Sequence, residues 1–63
     1  MRAVKLLRVV LGIGQQELAT AAHLSVRELA RIETGQTRPA PATMANLDVA
    51  FLAILDRRLR RAA

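Results

Sequence analysis

No cysteine occurs in the 63 residues, so neither a disulfide nor a thiolate metal site can brace a chain this short. His23 is the only histidine, and the five carboxylates do not cluster at ligand spacing; no metal and no cofactor are expected. Nor does any nucleophile–base pair stand out, which argues against an enzyme. Phe51 is the only aromatic residue, whereas modules that grip single-stranded nucleic acid stack bases on aromatic rings. No apolar run approaches the ~18–20 residues that cross a bilayer. No small-residue cleavage site follows an apolar stretch near the N-terminus, so a signal peptide is not expected either. A reducing, cytoplasmic setting fits these absences. A core of this size is marginal without a staple, and a second copy of the chain is the expected stabiliser.

What is present is apolar and basic. Hydrophobic residues make up 52%, too many for a disordered tail. The net charge is +5, and nine of the ten basic residues are arginine. That balance favours a polyanion, and with almost no aromatic residues duplex DNA is the expected partner.

Four helices account for nearly the whole chain. The first runs from about Arg2 to Leu11, with Val4, Leu7 and Leu11 at helical spacing toward a core. Gly12 and Gly14 punctuate its end. The second spans about Gln15–Ala22 and buries Leu18, Ala19 and Ala22. The third starts at Ser25, which forms with Glu28 the S-x-x-E pattern of a capping box, and closes at Gly35. "QTRPAP" is the one extended loop. From Ala42 to Arg61 nothing breaks the pattern: Met44, Leu47, Phe51, Ile54, Leu55 and Leu59 share one side, and Asp56, Arg57, Arg60 and Arg61 the other. No segment alternates with period two, so the expected class is all-α. Helices joined by a turn as short as His23-Leu24-Ser25 cross steeply, and the N-terminal half of the third then projects as a ridge of the width a major groove admits.

At these residues the sequence resembles the phage Cro and repressor type of helix-turn-helix, the Xre-like family, from about Val4 to Phe51. Leu7-Arg8, "GIGQQELA", "LSVRELARIE", the "TG" after it and "RPAPATM" carry the likeness, with Ala19, Leu24, Ile32-Glu33 and Gly35 in the expected slots. The resemblance implies a lambda-repressor-like bundle of four or five helices, one domain over residues 1–63, with the helix-turn-helix at about 15–34 and the long helix at about 42–61. Three departures stand out. His23 occupies a slot usually held by glycine, where φ is positive. Gly14 replaces the usual serine or threonine cap before Gln15. No glycine follows the fourth helix, which bears on the dimer contact.

The expected base-reading residues are Val26, Arg27, Glu28 and Arg31, on the leading face of the third helix. Either arginine can donate a bidentate pair to guanine, and Val26 can meet a thymine methyl. For Glu28 two readings stay open, acceptance from cytosine N4 or the capping role. Gln15, where the resemblance places a phosphate contact, joins Gln16, Ser25, Gln36, Thr37 and Arg38 as expected phosphate contacts that position rather than read. The resemblance also implies a partly buried Arg8–Glu33 ion pair that aims the third helix.

Phe51, Leu52, Leu55 and Leu59, with Leu6, Val9 and Val10 of the first helix, amount to much apolar surface for a small monomer, and an isologous homodimer through the long helix is expected. The arginines of "RRLRR" read as a phosphate-seeking tail, a membrane-surface patch or a favourable charge at a helix C-terminus. The leading function is a sequence-specific DNA-binding regulator, a small repressor on a palindromic operator, with no small-molecule ligand and no membrane partner. The alternatives are an antitoxin-type or adaptor protein whose long helix binds another protein, and a membrane-active peptide.

Overall fold

The computed structural model describes residues 1–62, which form four helices: α1 (Arg2–Val10), α2 (Gln15–Ala21), α3 (Val26–Glu33) and α4 (Pro41–Ala62). No strand occurs among the described residues. The all-α class holds, with four helices rather than five, because nothing interrupts residues 41–62. Proline at the first position of α4 removes an N–H that would have no partner there and presets φ for the helix.

The first two helices end in the same way. After α1 the chain turns through Gly12 at φ 67°, with Gly12 N–H donating to Val9 O and Ile13 N–H to Arg8 O, each at 3.0 Å. After α2 the left-handed residue is His23 at φ 61°. Its N–H donates to Thr20 O at 3.2 Å, and Leu24 N–H donates to Ala19 O at 2.8 Å. These two bonds satisfy carbonyls at the helix end, with Ala19 O also accepting from Ala22 N–H at 3.2 Å, and they fold Leu24 back onto the core. A side chain in this region costs about 1–2 kcal/mol. His23→Gly relieves that strain but enlarges the unfolded ensemble. The net gain is expected to be about 1 kcal/mol, a rise in Tm of about 4–8 °C by circular dichroism. An unchanged Tm would show that the imidazole makes up the cost elsewhere.

Leu18, Leu29, Leu47 and Ile54 are the largest fully buried side chains. α2 is the hub of the packing, lying against both α3 and α4, while α1 leans on α3. Ala19 and Ala22 are wholly buried on α2, and their single methyl groups let the neighbouring helices come close. On α4 the buried stripe is Leu47, Ala50, Phe51 and Ile54.

Two assignments change. Phe51, expected at the dimer contact with the leucines, is only 7% exposed and belongs to the core. Leu7, expected inside, is 46% exposed, because α1 rests on α3 and stands off from α4. Between α1 and α4 lies an apolar groove of about 390 Å³ lined by Leu7, Leu11, Asp48, Phe51, Leu52 and Leu55. Leu52 and Leu59 are exposed, Leu55 is half-buried, and Leu6, Val9 and Val10 of α1 also face outward.

Candidate nucleic-acid interface

α3 starts with both halves of its capping box made. Ser25 Oγ accepts from Glu28 N–H and Glu28 Oε1 accepts from Ser25 N–H, each at 3.0 Å. The backbone bond from Ser25 and then its hydroxyl hold the Glu28 carboxyl below its ordinary range, outweighing desolvation, with a lesser pull from the nearby Arg31 charge. Glu28 therefore serves α3 itself. The capping role is one of the two readings the sequence left open for this residue. Val26 is half-buried and packed against the core, so only part of its side chain reaches the surface. Arg27 and Arg31 are exposed one turn apart, while Leu29 and Ile32 bury the opposite face of α3. The amphipathic split thus turns two guanidinium groups to solvent on a helix fixed from behind.

What fixes it is a buried carboxylate. The Glu33 side chain is 2% exposed and that of Arg8 12% exposed. Arg8 Nε donates to Glu33 Oε2 at 2.6 Å and Arg8 Nη2 donates to Oε1 at 3.2 Å, a two-pronged pair. Arg8 Nη1 donates to Ile13 O at 2.9 Å, tying in the α1–α2 turn. Gln15 Nε2 supplies a third bond to the carboxylate, at 3.1 Å to Oε1. The Gln15 side chain, expected to reach a phosphate, here donates to this buried network. Burial pushes the Glu33 carboxyl upward, but the Arg8 and Gln15 hydrogen bonds and the charges of Arg8 and Lys5 outweigh it, and the group is held below its ordinary range.

A family model described as a helix-turn-helix domain matches residues 2–63. The chain belongs to the helix-turn-helix domain family. No curated protein and no solved structure matches it.

In this helix-turn-helix domain the remaining expected phosphate contacts lie around the ends of α2 and α3. Gln16 is exposed and donates from Nε2 to Thr20 Oγ1 at 2.9 Å. Gln36, Thr37 and Arg38 are all exposed in the loop after α3, and Thr37 N–H donates to Arg31 O at 3.2 Å. Arg31, Thr37, Arg38 and Thr43 share a cleft of about 340 Å³ with Glu28, Leu24 and Ile32. Ser25 is exposed, with its oxygen already accepting from Glu28.

The sequence reading missed the part played by Arg58. It donates from Nη1 to Leu11 O and from Nη2 to Gly12 O at 3.1 Å, and Nη2 lies 3.5 Å from Glu17 Oε1. It thereby clasps the C-terminal part of α4 to the α1–α2 junction. The signal was its position, four residues past Ile54 on the line of the buried stripe, where an arginine needs acceptors.

Proposed function

We propose that this helix-turn-helix domain, acting as one unit over residues 1–63, is a sequence-specific double-stranded DNA-binding regulator of the Cro and repressor (Xre-like) type. It is a small dimeric repressor on a palindromic operator. The observation that carries the reading is the pair Arg27 and Arg31, exposed together on a capped helix whose other face is buried. On this reading they donate to guanine O6 and N7 in the major groove. Gln16, Ser25, Gln36, Thr37, Arg38 and the Gln15 backbone N–H hold the phosphates on either side. The exposed Leu52 and Leu59 and half-buried Leu55 make the twofold contact.

Selection of bound duplexes from a random-sequence pool tests this. Enriched sequences are expected to carry two inverted half-sites one helical turn, about 34 Å, apart. A pool without enrichment would refute sequence-specific binding, and single unpaired half-sites would refute the dimer. The same leucines favour one other reading, an antitoxin-type or adaptor protein whose α4 takes a different protein. Co-purification of a stoichiometric hetero-complex, with no homodimer in sedimentation, would decide for it.

A further inference from the structure

The arginines at the end of α4 are not a loose tail. Arg57, Arg58 and Arg61 line one cleft of about 210 Å³ with Ile54 and with Glu17, the third residue of α2. Arg58 is spent on the α1–α2 junction and on Glu17. Arg60 is paired along the helix with Asp56 at 3.1 Å. Among the described residues Arg57 and Arg61 have no carboxylate at salt-bridge distance. Arg58 ties this stretch of α4 to the α1–α2 junction, and Arg57 and Arg61 sit one helical turn apart, lining one cleft with the first turn of α2.

We propose that Arg57 and Arg61 form a second phosphate-binding surface, which takes the backbone of the same duplex beyond the half-site that α3 reads. This rests on the DNA-binding reading above and extends its footprint. The chemistry suits a polyanion of regular charge spacing. Two arginines one turn apart on a helix lie about 5–6 Å from each other between Cβ atoms, within reach of successive phosphates on one strand. Glu17 leaves a single negative charge in the cleft, already engaged by Arg58. Sequence is not read there; the surface adds affinity and salt dependence alone. Arg58 acts through the other two, as a positioning residue.

The test uses the full chain on the duplexes enriched in the pool selection, by hydroxyl-radical footprinting and by anisotropy titration over a range of salt. The wild-type protein is expected to protect sugars flanking the core site. Arg57→Gln/Arg61→Gln is expected to lose that flanking protection, keep the core, and show a log K against log salt slope shallower by about two, one per arginine. Arg58→Gln, which keeps both charges but opens the clasp, is expected to lose the flanking protection as well. Both substitutions lie at exposed positions, and helix content by circular dichroism confirms that the variants fold. An unchanged footprint and slope in the double variant, with the core still protected, would overturn this proposal and leave the DNA-binding reading standing. Loss of the core footprint in the wild-type protein would overturn both. Binding to phosphatidylglycerol vesicles that depends on Arg57 and Arg61, with the DNA footprint unchanged, would reassign the surface to membranes.

Discussion

Glu33→Gln is expected to lower stability by about 3 kcal/mol at neutral pH, roughly 15 °C in Tm for a domain of this size. The substitution changes almost no volume, so the effect is electrostatic. It leaves the Arg8 guanidinium, 12% exposed, without the charge that compensates its burial, and it weakens the bonds that join α1 and α2 to α3. A small domain holds about 0.05–0.15 kcal/mol per residue in total, so this single change takes a large share of what there is. Two controls separate the pair from mere packing. Arg8→Met/Glu33→Met removes both charges and is expected to recover most of the loss, because two apolar side chains carry no burial penalty. Acid supplies the other control. A carboxyl held below its ordinary ~4.3 contributes its stability above that value and surrenders it as pH falls through the lower folded-state value. The gap between wild type and Glu33→Gln, full at neutral pH, therefore closes on acidification. A gap that persists at low pH, or a double variant no better than the single one, would show that the pair is not what holds α3.

Arg27→Ala and Arg31→Ala are each expected to weaken binding to the selected operator by about 1–3 kcal/mol and to relax preference at one base pair. Both variants should fold with unchanged Tm, since both side chains are exposed. Arg38→Ala should instead weaken every duplex alike and flatten the salt dependence. Arg31 is the sharper case, because its side chain shares a cleft with Arg38 and Thr37. Should Arg31→Ala behave like Arg38→Ala, with no base preference lost, Arg31 belongs with the phosphate contacts and reading rests on Arg27. Identical behaviour of all three variants would remove the division between reading and positioning altogether.

Most of the fold was legible because its signals are local. The S-x-x-E pattern at Ser25–Glu28 announces a helix start through bonds within four residues, and Pro41 marks the start of α4 within one residue. The left-handed conformation of His23 is legible through the family resemblance, which puts it in a slot usually held by glycine. What the sequence concealed depends on how helices lean. Leu7 has the spacing of a core residue, but α1 rests on α3, and the groove beside α4 leaves it outside. Phe51 lies on the boundary between the buried stripe and the exposed leucines, and helical spacing alone does not say which side wins. At the candidate interface, Arg27 and Arg31 were legible from amphipathicity. The diversion of the Gln15 amide to Glu33 was not, because it spans 18 positions and depends on the placement of α3. The Arg58 clasp spans 46 or more and has only the continuation of the α4 stripe to hint at it.

One carboxylate at the end of α3 takes hydrogen bonds from α1 and from the first residue of α2. On the DNA-binding reading α2 and α3 face the duplex, and the Gln15 bond joins them before it arrives. If the domain docks on DNA, docking then requires little reorganisation of the main chain, and the freedom surrendered is chiefly that of a few long side chains, each about 0.5–1.5 kcal/mol. For a molecule with so few residues to make contact, arriving already assembled leaves more of each contact's energy to appear as affinity.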